Sequence, residues 1–129
     1  MSVAERLAKH PRWEWRAGMR HEAVEWMDPG EVVAALDADG LLGLGGDWHA
    51  RDGLAPDLTD DGTAGILHAM LCEAWTRGGV DTSSNADGHE VSLYVARIRT
   101  GHDGARHRFL RRECLGEALG AALLWAWSL

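Results

Sequence analysis

The stretch Pro56-Asp57-Leu58-Thr59-Asp60-Asp61-Gly62-Thr63-Ala64-Gly65-Ile66-Leu67-His68-Ala69-Met70-Leu71-Cys72-Glu73-Ala74-Trp75 decides the fold class. It reads as a capped amphipathic helix over 57–76. Thr59 or Asp60 is the N-cap, and Asp60 and Asp61 suit the positive end of the helix dipole. Leu67, Met70, Leu71, Ala74 and Trp75 recur at helical spacing and share one apolar face. Gly78-Gly79 stops the helix. That face needs a partner, and residues 113–128 supply one. Leu115, Ala118, Leu119, Ala122 and Leu123 point inward at the same period, while Leu124, Trp125 and Trp127 make the end apolar almost all round. A helix of that kind is buried or partnered. The core expected from this pairing sets Leu67, Leu71 and Trp75 against Leu119 and Leu123.

Outward from this pair the signals are shorter. Ser2 caps a short N-terminal helix, Glu5 completes a capping box, and Val3, Ala4, Leu7 and Ala8 form its apolar face before Pro11 ends it. Trp13-Glu14-Trp15 alternates as an extended segment does. Residues 20–27 read as a weak strand, Asp28-Pro29-Gly30 as a turn, and 31–36 as a strand pairing back in a hairpin. Asp37-Ala38-Asp39-Gly40 is a second turn and 41–44 a third short strand. Residues 43–56 read as an ordered loop. Within it, Gly43-Leu44-Gly45-Gly46 lacks the Lys-Ser/Thr of a phosphate loop and is a turn. Residues 80–88 are polar and small, and read as a mobile loop. Residues 91–99 alternate as a strand, and 106–110 return as another. The expected fold is α+β: a small antiparallel sheet with two longer helices packed on one face and a short N-terminal helix, in a single domain over 1–129.

Composition narrows the function classes. Seven Trp stand against one Phe and one Tyr. Trp is enriched at interfaces, so some should build the core and others cap it. Charge is lopsided: residues 1–90 hold seven Lys and Arg against seventeen Asp and Glu, and residues 91–129 hold six against three. The overall −7 argues against binding long duplex nucleic acid and leaves room for an acidic face with a basic partner. No signal peptide and no stretch long enough to span a bilayer is visible, so a soluble cytoplasmic protein with no membrane contact is expected. Cys72 and Cys114 fall on apolar helical patterns and read as buried free thiols.

No catalytic motif emerges, and the expectation is a protein that is not an enzyme and needs no cofactor. The seven His are dispersed. His89, His102 and His107 flank one hairpin, with Asp103 beside them, but their spacing reads as surface His on polar loops rather than as a metal site. The basic residues of the second half are more suggestive. Arg97 and Arg99 share one side of their strand, and Arg106 and Arg108 share a face of the next. Like charges crowded on one sheet face are unfavourable. Either acidic residues of the first half neutralise them, or a compact anion such as a nucleotide does. Trp48 and Trp127 are the candidate partner contacts among the aromatics. Trp125 and Trp127 also suggest a homodimer through the end of the last helix.

Three segments carry a resemblance. They are Ala4-Glu5-Arg6-Leu7-Ala8 through Trp13-Glu14-Trp15-Arg16-Ala17-Gly18-Met19-Arg20; Pro56-Asp57-Leu58-Thr59-Asp60 with Thr63, Gly65 and Glu73-Ala74-Trp75; and Gly116-Glu117-Ala118-Leu119 with Ala121-Ala122-Leu123-Leu124. In these the chain resembles small accessory proteins encoded by tailed bacteriophages and prophages of high-GC bacteria, with Asp61 where such proteins usually carry Pro. The resemblance implies a phage-type accessory protein acting in a bacterial host cytoplasm, and supplies no active-site residues. The function expected is non-enzymatic: countering host defence, as a CRISPR inhibitor or other anti-defence protein does, by binding a host protein or sequestering a nucleotide signal. The alternatives are a small metal-dependent hydrolase using the His cluster and a minor virion or assembly protein.

Overall fold

The computed structural model describes residues 1–95 and 106–129. Among them the elements run α1 (Val3–Lys9), β1 (Ala35–Leu36), β2 (Leu42–Leu44), β3 (Asp47–His49), α2 (Asp61–Ala74), β4 (Val80–Asn85), β5 (Gly88–Tyr94), β6 (Arg106–Arg111) and α3 (Leu115–Trp127). The α+β class holds. The single expected sheet is two: antiparallel β1-β2-β3 and antiparallel β4-β5-β6.

Local chemistry starts and ends the helices where their caps stand. Ser2 Oγ accepts from the Glu5 amide at 3.1 Å at the head of α1. Asp60 caps α2 by accepting from the Thr63 amide at 2.9 Å, so this helix begins at Asp61 rather than near 57. Leu67, Leu71 and Trp75 are buried, as are Leu119 and Leu123, and α2 packs on α3. Each such Leu contributes roughly 1.5–3 kcal/mol when fully buried. Two glycines let α3 sit close to its neighbours. A Cβ at Gly116 would collide with the Leu58 carbonyl, and one at Gly120 would sit 2.9 Å from Leu7 Cδ1 of α1.

Residues 80–88 are not a mobile loop. Val80 and Thr82 pair with Leu93 and Val91, and Asn85 meets Gly88 across a tight turn. α3 lies against β5 and β6. Val91 and Leu93 are buried, and by the strand alternation His107 and Phe109 share their face. An aromatic cluster fills this contact: Trp125 lies 4.3 Å from His107, 5.7 Å from Trp75 and 5.8 Å from Phe109, ring centre to ring centre.

The first half is less regular than expected. Residues 20–27 and 31–36 share a single isolated bridge, Arg20 with Val32, and the strand there is two residues long. Residues 43–56 are correspondingly more regular. β2 turns into β3 through Gly45 and Gly46, at φ +57° and +92°, the left-handed pair a two-residue hairpin needs.

Candidate partner-binding surface

Side chains join a short run of backbone bonds in setting the shape of residues 20–33: the His21 amide donates to the Glu31 carbonyl at 3.2 Å and the Val33 amide to the Met19 carbonyl at 2.7 Å. His21 is fully buried. Its Nδ1–H donates to the Glu22 carbonyl at 2.6 Å, and its Nε2 accepts from the Glu31 amide at 3.0 Å. Those two bonds define one neutral tautomer. The Arg20 guanidinium donates to the Gly30 carbonyl at 2.6 Å and pairs with Asp60 at 3.4 Å. Gly30 tolerates no side chain, because a Cβ there would run into the His21 carbonyl. The turn at 28–30 is thereby tied to the N-terminus of α2, and it carries the small sheet with it.

That sheet buries Leu42 and Leu44 and shows its other face to solvent. Ala35, Gly43 and Trp48 form a cross-strand row on the outer face. The Trp48 ring lies over Gly43; a Cβ on Gly43 would meet it at 3.3 Å. His49 points to the opposite face, as alternation requires, and Trp26 stacks on it with ring centres 5.6 Å apart and planes 25° from parallel. The edge strand β3 is thus flanked by a tryptophan on each face. Trp26 is 60% and Trp48 54% exposed, and Val32 and Leu36 are exposed nearby in the chain. Of seven Trp, therefore, Trp13, Trp15 and Trp75 are core, Trp125 and Trp127 half-buried, and Trp26 and Trp48 are out in solvent.

The same segment is uniformly acidic. Residues 21–50 contain seven Asp and Glu and neither Lys nor Arg. Glu22, Glu25, Asp28, Glu31, Asp39 and Asp47 are exposed. Desolvation, and then the charges of Asp57 and Glu5 from outside this segment, push the Glu22 carboxyl above its ordinary value. Sequence reasoning found Trp48 here but missed Trp26. The run of thirty residues without Lys or Arg was the signal that could have found it.

The Arg strip is partly internal. Arg106 and Arg108 share the face of β6 turned away from α3, as expected. Arg108 donates to both Glu90 carboxylate oxygens, at 2.9 and 2.6 Å. That pairing holds Glu90 below the usual carboxylate range. Arg106 lies over the Tyr94 ring at 5.9 Å. Arg97 and Arg99 lie outside the described residues, as do His102 and Asp103. Trp127 is not a free surface: His10 stacks on it at 4.7 Å and Arg12 approaches at 6.0 Å.

His89 contacts Ser84 Oγ at 2.8 Å, while His107 packs into the aromatic cluster. Among the described residues no three His, Cys, Asp or Glu side chains gather as a metal site would require. Both thiols are free. Cys72 is exposed rather than buried, because it falls on the side of α2 away from Leu71 and Leu67. Cys114 is half-buried, donates to the Leu58 carbonyl at 3.3 Å, and burial pushes its thiol up, which leaves little thiolate to react. A cleft of about 660 Å³ lies between the end of α1 and residues 51–55; its rim mixes Lys9 and Arg51 with Glu5 and Asp52 and selects neither sign of charge.

Comparison with known protein families, with curated proteins and with solved structures finds no match to this chain. Among the described residues no helix is long and apolar enough to cross a membrane.

Proposed function

We propose that this chain is a non-enzymatic binding protein that captures a basic protein surface on its acidic, tryptophan-flanked β3 edge. In keeping with the resemblance to phage accessory proteins, the captured protein is a component of a bacterial host's defence. One observation carries the reading. Two tryptophans more than half exposed flank one short strand within a segment of seven carboxylates and no Lys or Arg.

The chemistry suits arginine- and lysine-bearing partners. Carboxylates take up guanidinium groups, and a cation over an indole face gains about 0.5–1 kcal/mol when exposed and about 2 kcal/mol when desolvated. Tryptophan is among the residues that dominate interface energetics. A patch of one sign also steers an oppositely charged partner during encounter, so binding weakens with salt.

The test uses phage infection of strains that each carry one defence system, with and without expression of the protein. Restored plaque formation in one strain, lost in the Trp26→Ala, Trp48→Ala double variant at unchanged melting temperature, is the expected result. A double variant that protects phage as well as the parent overturns the surface. Protection in no strain, with no fluorescence response to an arginine-rich peptide, overturns the reading as a whole.

A further inference from the structure

The outer edge of the second sheet supports a conclusion independent of the acidic surface. Among the described residues β4 pairs on one side only, with β5, and is the sheet's first strand. The hydrogen-bonding phase follows from one bond: the Tyr94 amide donates to the Gly79 carbonyl at 2.9 Å. With the register that pairs Val80 with Leu93, the hydrogen-bonded pairs are then Asp81–Ser92, Ser83–Glu90 and Asn85–Gly88. Val80, Thr82 and Ser84 therefore turn their amides and carbonyls outward.

Exposed edges pair with other strands unless something prevents it, and charged side chains are the usual protection. The two edges of this sheet differ in that respect. β6 carries Arg106, Arg108 and Arg111. Pairing two copies of β6 about Arg108 sets Arg108 against itself, and pairing them about Phe109 sets Arg106 against Arg112; both are repulsive. β4 reads Val80-Asp81-Thr82-Ser83-Ser84-Asn85, with one charge and no proline. Its outward groups allow antiparallel self-pairing about Thr82 or about Ser83. The first sets Asp81 opposite Ser83, the second opposite Asn85, so in neither does Asp81 face itself.

The space beneath this edge is also clear. A cleft of about 430 Å³ opens beside Thr82, lined on the α2 side by Asp61, Ala64, Gly65 and His68. A side chain added at Gly65 would meet nothing within 4 Å. At Gly65, therefore, α2 leaves room beside this edge.

We infer that β4 is a self-association edge, through which two copies of this chain join their sheets into one antiparallel six-stranded sheet around a two-fold axis. The dimer uses backbone hydrogen bonds from Val80, Thr82 and Ser84 and a polar cross-strand row. Each copy carries −7, so added salt tightens it. This is the opposite of the salt response expected at the acidic surface, which keeps the two outcomes distinguishable.

The test is sedimentation of the full chain over a micromolar concentration series, with amide hydrogen exchange of the same samples. A monomer–dimer equilibrium is expected, with the amides of Val80, Thr82 and Ser84 gaining protection as the dimer fills. Those of Asp81, Ser83 and Asn85, bonded to β5, are protected at every concentration. Thr82→Pro removes only an outward donor and suits an edge strand, so it should give a folded monomer. A chain that stays monomeric overturns the inference. So does a dimer in which the three outward amides exchange as freely as in the monomer.

Discussion

Glu90 receives Arg108 across the β5–β6 pair through two parallel hydrogen bonds at 2.9 and 2.6 Å. The pair settles where the charge of Arg108 goes. It also sets a pH dependence. The Arg108 hydrogen bonds hold Glu90 below its ordinary value of 4.5. A carboxyl lowered in the folded state contributes stability that is present above its unfolded pKa and is lost as pH falls through the folded one. The contribution of this pair should therefore be intact at neutral pH and fade below pH 4.5. Glu90→Gln should flatten that part of the acid limb of a melting-temperature profile. Identical acid limbs for parent and variant would mean that the pair is solvent-separated.

Leu71 lies fully buried between α2 and α3. Removing a buried Leu side chain costs roughly 2–5 kcal/mol, the transfer term plus the cavity left behind. Leu71→Ala should lower the melting temperature by on the order of 10 °C. Cys72→Ser, one residue along and exposed, should leave it nearly unchanged. Equal small shifts for both would remove the helix pair from the core.

Asp60 and Thr63 join the cap of α2 to the irregular segment before it. Asp60 Oδ2 accepts from both the amide and the hydroxyl of Thr63 at 2.9 Å, and Thr63 Oγ1 accepts from the Arg20 amide at 2.9 Å. Partial burial pushes the Asp60 carboxyl up, but Thr63 and Arg20 outweigh it and hold it below 3.8. Asp60→Ala should cost about 0.5–2 kcal/mol as a lost cap. Thr63→Val keeps the volume but strands a buried amide and should cost about 1–3 kcal/mol. Because the two share a network, the double variant should lose less than the separate losses combined. Additive losses in denaturant melts would show that Asp60 and Thr63 act separately.

What could be read ahead of the structure follows from where each signal resides. α2 was legible because its cap and its 3.6-residue apolar period are local, and the burial of Leu67, Leu71 and Trp75 followed from them. β4 was not, because Asp81, Ser83 and Ser84 carry no apolar alternation; the strand exists through its pairing with Glu90 to Ser92, which local propensity does not report. Residues 20–33 misled in the other direction. Their β-branched residues suggest a regular ladder, yet only a short run of backbone bonds forms, from Gly18, His21 and Val33, and the His21 and Arg20 side chains complete the contact to Glu31 and Gly30. For the site, Trp48 was a candidate from its residue type, whereas Trp26 needed both the run without Lys or Arg around it and its stack on His49, a contact that local pattern does not report.

The fold gives Trp127 a different role from the one its apolar helix end suggests. His10 stacks on its ring at 4.7 Å, and Arg12 lies 6.0 Å from the ring centre. Both come from the segment that leaves α1, so the contact ties that segment to the C-terminus of α3. An aromatic pair of this kind contributes about 0.5–1.5 kcal/mol beyond its burial. Trp127→Ala should accordingly lower the melting temperature by several degrees, and His10→Ala by less. Neither should change the sedimentation behaviour, since the ring is spent within its own chain and the association edge is β4. If Trp127→Ala instead dissociates a dimer without destabilising the monomer, the C-terminal helix is the interface and the stack with His10 does not persist in solution.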